Sequence, residues 1–162
     1  MVANIDWSSV KVIVELGGGT GPITKLLAER APASCTVVVI ERDHDFAALL
    51  RHRYEHYPNF HIFQDDVRHL DRILAELNIT QVDHILSGLP SPSLPIEVRN
   101  AVFRVARQVL TPTGTFNNIT EVPWYYKRWY HRHFHHVHFR FIPRNIPPGG
   151  VYYCRGVKGN PT

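Results

Sequence analysis

Val12-Ile13-Val14-Glu15-Leu16-Gly17-Gly18-Gly19-Thr20-Gly21-Pro22 is an apolar strand that breaks on three glycines and restarts as a helix. A chain turning in this way leaves backbone N–H groups uncovered at a helix N-terminus. A second apolar stretch, residues 36–40, stops on Glu41, a carboxylate placed to accept hydrogen bonds from a ribose diol. The two strand ends together describe a nucleoside-cofactor site at the carboxyl edge of a parallel sheet.

Outward from that loop, apolar strands at residues 11–16, 36–40, 60–63, 81–86 and 115–120 alternate with helical patterns. Such alternation predicts a parallel sheet covered on both faces. Pro22 sits where a helix's first N–H is unneeded, Ile23, Leu26 and Leu27 give that helix an inward face, and Pro32 ends it. Asp43 caps the next helix, with Phe46, Leu49 and Leu50 turned inward. Leu70, Ile73, Leu74 and Leu77 mark a third helix, and residues 96–110 a fourth with Val98, Val102, Val105, Ala106 and Val109 on one side. Pro112-Thr113-Gly114 reads as a turn before the fifth strand. Residues 123–132 form a short aromatic helix, and strands at 134–142 and 151–155, joined without a crossover helix, must be antiparallel. The expected fold is α/β and Rossmann-like: a mostly parallel seven-stranded sheet with a C-terminal antiparallel hairpin and helices on both faces, one domain over residues 1–162.

With 162 residues and 44% hydrophobic composition, the chain can bury a core without disulfides or a structural metal. Cys35 and Cys154 make no framework and read as buried small hydrophobes, which suits a reducing compartment. The start of the chain lacks the basic stretch and apolar core of a signal peptide, and no apolar run approaches the ~20 residues of a spanning helix. The expectation is a soluble, cytoplasmic protein, peripheral to a membrane at most. The net charge is +4, and acids thin out after Glu121, leaving a basic, aromatic C-terminal third suited to an anionic partner, phospholipid headgroups or RNA.

A glycine loop alone serves dinucleotide and methyl-donor sites equally. Three details separate them here: Glu15 before the glycines, Thr20-Gly21 after them, and Asp65-Asp66 closing the third strand at the same rim. On these residues the chain resembles the class I S-adenosylmethionine-dependent methyltransferases across residues 11–155. The resemblance implies S-adenosylmethionine as cofactor, with Glu15 near its methionine end, Glu41 on the ribose hydroxyls and Asp66 at adenine beside the Val67 N–H. It also assigns Gly17, Gly18, Gly19, Thr20, Gly21, Arg42, Asp65, Ser87 and Gly88 to the cofactor site. The chemistry agrees, because carboxylates suit the donors of adenosine and a cationic sulfonium, whereas a pyrophosphate would be repelled.

Ser87-Gly88-Leu89-Pro90 follows the fourth strand. Methyltransferases acting on exocyclic base amines carry Asn-Pro-Pro-Tyr or Asn-Leu-Pro-Tyr there, with an amide for the amino group and a ring to stack on the base. This loop has neither. It is similar instead to that of the bacterial phosphatidylethanolamine N-methyltransferases, as are Ile40-Glu41-Arg42-Asp43 and Arg144-Asn145-Ile146-Pro147-Pro148. This resemblance implies N-methylation of an amine-bearing acceptor such as a phospholipid headgroup at a membrane surface. That family carries an amphipathic segment ahead of the glycine loop, and ten residues precede Lys11 here. The glycine loop is also similar to that of the rRNA adenine dimethyltransferases, so RNA methylation is the second reading. A third is a non-catalytic cofactor-binding protein with a membrane or protein partner. Transfer to an amine leaves one proton to remove, for which Ser87, Tyr125, Tyr126 and His131, or a water, are the candidates near the rim.

His131, His133, His135, His136 and His138 crowd eight residues, and on a strand the odd-numbered three would share a face. Metal sites usually gather ligands from separate segments, so no metal is assigned. The plainer reading is a half-exposed edge strand, with Phe134, Val137, Phe139 and Phe141 contributing to the core. Between Trp124 and Tyr130, rings and cations alternate in a composition suited to a membrane interface or to stacking on single-stranded nucleic acid.

Overall fold

The apolar runs become the strands β1 (Val12–Leu16), β2 (Thr36–Glu41), β3 (Phe60–Gln64) and β4 (Val82–Ser87), followed by β5 (Leu110–Thr120), β6 (Phe134–Ile142) and β7 (Gly149–Val157). The helices are α1 (Pro22–Arg30), α2 (His44–Tyr54), α3 (Leu70–Glu76), α4 (Ile96–Val109) and α5 (Pro123–His133). The structure is a computed structural model that describes residues 1–89, 94–143 and 148–159, excluding the side chains of residues 123, 125 and 126. Pro90 and Arg144-Asn145-Ile146-Pro147 of the quoted motifs lie outside the described residues.

One seven-stranded sheet runs in the order β3-β2-β1-β4-β5-β7-β6. β1 pairs in parallel with β2 and β4, and the antiparallel β6–β7 pair docks on β5 through β7. The chain leaves β1 for β2 on one side and later returns to β4 on the other. This reversal opens a crevice above the carboxyl end of β1, where ligands of open α/β sheets bind.

The central strands are apolar on both sides because both sides are covered. Ile13, Val14, Leu16 and all of Val37, Val38, Val39 and Ile40 are fully buried, and each such side chain stabilises the fold by about 1.5–3 kcal/mol. On one face Val14, Val38 and Ile85 pack with Leu70, Ile73, Phe103 and Tyr130 from α3, α4 and α5. On the other, Ile13, Val37 and Val39 pack with Leu27 and Leu50 of α1 and α2 and with Val2, Ile5 and Val10. Both cysteines are buried free thiols. No helix among the described residues is long and apolar enough to cross a membrane.

Four local expectations change. Pro112-Thr113-Gly114 lies within β5 as a bulge: Leu110 pairs with Val82 and the ladder resumes only at Thr115 with His84. Phe46 is 40% exposed, because Ala47, Leu50 and Tyr54 take the buried face of α2. Phe141 is 56% exposed, since β6 is the sheet's edge strand. His131 and His133 belong to α5 rather than to a strand, so the three odd-numbered imidazoles share no strand face. His133 is instead buried, stacked on Phe103 with ring centroids 5.0 Å apart and within 3.2 Å of Arg107, and burial lowers its pKa.

Candidate active site

Leaving β1, the chain binds the neighbouring strand once more, Gly17 N–H donating to the Ile40 carbonyl at 2.8 Å. Gly17 (φ 76°) and Gly19 (φ 52°) then enter the left-handed region, which side chains other than glycine reach only with strain. That turn faces Gly19 N–H toward the end of β2, where it donates to Glu41 Oε2 at 2.7 Å. Glu41 Oε1 accepts from Asp43 N–H at 2.8 Å. Asp43 in turn caps α2, accepting from the N–H groups of Asp45 and Phe46. One carboxylate therefore braces the glycine loop and the start of α2. An ionised carboxylate has about four acceptor sites, so capacity remains for a ligand diol.

The loop after β4 meets this turn from the other side. Gly88 N–H donates to the Leu16 carbonyl at 2.9 Å, and a Cβ on Gly88 would lie 2.9 Å from the Gly17 carbonyl. Between the two loops opens a cleft of about 680 Å³, within the size range of cofactor pockets. Of the residues singled out in the sequence, it gathers Gly17, Gly19, Glu41, Arg42, Asp66, Val67 and Gly88. Phe46, Leu89, Leu94 and Val98 add apolar wall that the sequence pattern did not assign to it. Asp66 accepts from Arg68 through both oxygens, and that bond, ahead of all other causes, holds its carboxyl below the usual range.

Other assigned residues stand behind the cleft rather than in it. A Cβ on Gly18 would lie 2.7 Å from Leu50 and 2.8 Å from Val39, so this glycine serves packing. Gly21 presses on Leu50 in the same way, and Thr20 is exposed, its carbonyl accepting from Arg53. Asp65 is engaged by His69 and Arg72.

Glu15 is wholly buried beneath the glycines. Its Oε2 accepts from Thr24 Oγ1 at 2.8 Å, while Oε1 has no hydrogen-bond partner among the described residues. Burial pushes this carboxyl up to about 8. The signal for Thr24 was in the sequence: a hydroxyl on the inward face of α1, between Ile23 and Leu27. An unpartnered buried oxygen, two bare glycines and a ribose-ready carboxylate suit a ligand rich in donors and bearing positive charge. The residues present thus fit S-adenosylmethionine: Glu41, Gly17, Gly19, Asp66 and Val67, which would hold its adenosyl part, line one cleft.

Leu89 and Leu94 are shared by a second, much smaller chamber. It holds about 20 Å³ and is walled by Ser87 of β4, Phe116 and Asn118 of β5, Arg99 and Phe103 of α4, and Trp129 and Tyr130 of α5. A single water needs about 10–15 Å³, so the chamber admits one group of that size and no ring. Its walls are rings in contact: Phe103 meets Trp129 edge-on at 4.2 Å and Phe116 at 4.8 Å. Ser87, a sequence candidate, lies here. The side chains of Tyr125 and Tyr126 lie outside the described residues. His131 lines neither space; it faces a separate hollow on the β6–β7 edge with His135, His136 and Arg155. Among the described residues no cluster of His, Cys, Asp or Glu is arranged to hold a metal ion.

The family model described as "Methyltransferase domain" matches residues 13–114. An ornithine lipid N-methyltransferase of Singulisphaera acidiphila is 55% identical over 157 residues, covering 97% of this chain and 82% of that protein. A ribosomal RNA small subunit methyltransferase A of Mycoplasma mycoides subsp. mycoides is 37% identical over 88 residues, 53% of this chain and 31% of that protein. Among solved structures, human methyltransferase-like protein 13 in complex with SAH shares the fold with a TM-score of 0.70 at 15% identity, covering 92% of this chain and 73% of that one.

Proposed function

This chain belongs to the class I S-adenosylmethionine-dependent methyltransferases, and from that premise we propose that it methylates the amine nitrogen of a lipid headgroup. The observation that carries this reading is the chamber of about 20 Å³ beside the cofactor cleft. It has the size of an amine tip, and the loop that borders it lacks the amide and the ring with which base-methylating enzymes hold an exocyclic amine. S-adenosylmethionine, when bound, supplies an electrophilic methyl group on a sulfonium. The protein's task is to hold the acceptor nitrogen in line with that group, an arrangement able to supply most of the acceleration. Leu89 and Leu94 form the partition across which the two meet, and Ser87 and Asn118 provide neutral polar groups that can accept from an amine. The surrounding rings exclude water without supplying a carboxylate that would keep the amine protonated.

Two further features support a lipid acceptor. The relative in Singulisphaera acidiphila is named for a lipid substrate and is similar over nearly the whole of this chain. At the same rim Trp124, 80% exposed, and Phe141, 56% exposed, flank Lys127 over an apolar hollow. Exposed rings beside a cation suit a lipid–water interface.

The test is transfer of a labelled methyl group to vesicles containing amine-bearing lipid, run beside bulk RNA. Transfer to the lipid amine, absent with lipids lacking an amine, is expected. Transfer to RNA in excess of lipid would overturn the reading and favour the ribosomal RNA alternative that the Mycoplasma relative represents.

A further inference from the structure

We infer that the β5–β7–β6 face turned away from α5 is a docking surface for bilayers that carry anionic phospholipid, with Arg140 and Arg155 meeting the headgroup phosphates. The inference rests on the lipid reading above and adds where the chain meets the bilayer that holds its acceptor.

In an antiparallel ladder, residues directly opposite each other share a face. His136 stands opposite Arg155, and Arg155 opposite Thr115; His138, Tyr153 and Asn117 make the next row, and Arg140 stands opposite Val151. The alternate residues of β6 turn to the α5 side, where Phe139 meets Tyr152 with ring centroids 4.8 Å apart. On the first face Asn4 bonds Thr115 and Asn117. Past Asn4 lies a hollow of about 810 Å³, walled by β6, β7, the segment before β1 and His131 in the last turn of α5.

Among the described residues no carboxylate lines this hollow, whereas Arg140 and Arg155 both do and both are exposed. Neither makes an ion pair with a described residue. Asp6 and Asp83, in a smaller hollow that Arg155 also borders, are engaged by their own neighbours. Asp83 accepts from the Lys11 and Val12 N–H groups at 2.8 and 3.0 Å, and Asp6 from the Ser8 and Ser9 hydroxyls. Two guanidiniums thus stand on one face without a counter-charge, and their forked donors suit phosphate.

The other flank of β6, the sheet's edge strand, selects the kind of anion. Phe139 and Phe141 there share an apolar hollow with Trp124 and Lys127. Cations on one flank and exposed rings on the other match a bilayer surface, where phosphates lie beside the acyl boundary. Single-stranded RNA calls instead for exposed rings interleaved with cations. The ring set among these cations is Tyr153, which is half-buried with its centroid 6.4 Å from that of His138.

The test mixes the full chain with vesicles of phosphatidylcholine alone or of phosphatidylcholine with phosphatidylglycerol, and sedimentation reads the bound share. Binding should require phosphatidylglycerol and weaken with added salt. The double variant Arg140→Gln, Arg155→Gln should bind about 30-fold more weakly, at about fivefold per arginine near an anionic surface. Its affinity for S-adenosylhomocysteine, its thermal midpoint and its methyl transfer to amine lipid in neutral detergent micelles should stay unchanged. Arg30→Gln, Arg51→Gln removes the same charge from α1 and α2 and should weaken vesicle binding by less than about threefold. If the Arg140, Arg155 variant does not fold, R140Q and R155Q decide singly, each with its share of the loss. Equal loss in the two double variants, or binding indifferent to phosphatidylglycerol, overturns the docking surface. So does binding to bulk RNA that exceeds vesicle binding and is lost with Arg140 and Arg155, which would give this face to nucleic acid. The acceptor reading fails separately, if the unaltered chain transfers no methyl group to amine lipid in the micelles.

Discussion

The two sides of the β1–β4 crevice are built by different means. The β1–β3 side presents backbone: two left-handed glycines, an N–H held by Glu41, and acids at successive strand ends. The β4–β7 side presents side-chain volume: Phe103, Phe116, Trp129 and Tyr130 close around a space of about 20 Å³. A site made of backbone is fixed by a few glycines and tolerates little change. A chamber made of rings can be reshaped by single substitutions while the first side stays as it is. On the proposed reading, such a division lets the acceptor side change while the cofactor side stays as it is.

The sharpest way to separate the two sides is Phe103→Ala. Phe103 is 4% exposed and touches Phe116, Trp129 and His133, so truncation should cost about 3–5 kcal/mol of stability. At temperatures where the variant remains folded, affinity for S-adenosylhomocysteine should be unchanged while acceptor turnover is lost. Chemical denaturation and calorimetry check both halves of this expectation, and a matching loss of cofactor affinity would break the division. Glu41→Ala is the reciprocal change. It removes two backbone hydrogen bonds and the proposed ribose acceptor together, for an expected loss of about 100-fold in S-adenosylhomocysteine affinity. The ring contacts around the chamber should survive, read as unchanged near-ultraviolet circular dichroism. Affinity within threefold of the unaltered chain would mean that the ligand does not rest on Glu41.

The same division governs what could be read from the sequence. The parallel strands, the Asp43 cap, Pro22 at the start of α1 and the antiparallel late pair all follow from local rules of periodicity and backbone chemistry. The placing of Glu41 at the carboxyl end of β2, in the wall of the cleft beside the glycine loop, follows from the same rules. The chamber does not, because its walls come from β4, β5, α4 and α5 and meet only after the sheet has formed. Tyr130 reaches the chamber only through the packing of α5 against Phe103 and Tyr152. Phe46 and Phe141 were misplaced for a related reason. Helical or strand periodicity finds an apolar face, but not whether another element arrives to cover it.

Glu15 provides the smallest and most specific test, since it asks whether the backbone-built side holds a buried acid ready for its ligand. Its carboxyl sits near 8, against an unperturbed value of 4.5, mainly through burial. Between those values the folded chain retains a proton that the unfolded chain has released. Stability must therefore fall as pH rises from about 4.5 to about 8 and level off above. His84 and His133 act with the opposite sign, because burial lowers their pKa and the unfolded chain gains protons as pH drops below their ordinary value of 6.5. Comparing Glu15→Gln with the unaltered chain cancels those imidazole terms. The variant should gain in thermal midpoint between pH 5 and pH 8 by several degrees, each kcal/mol being worth about 2–4 °C in a chain of this size. Saturating S-adenosylmethionine should shrink that gain, since a bound cation favours the ionised carboxylate. A flat difference across that interval would mean that Glu15 is already ionised within the fold, with a partner for its second oxygen.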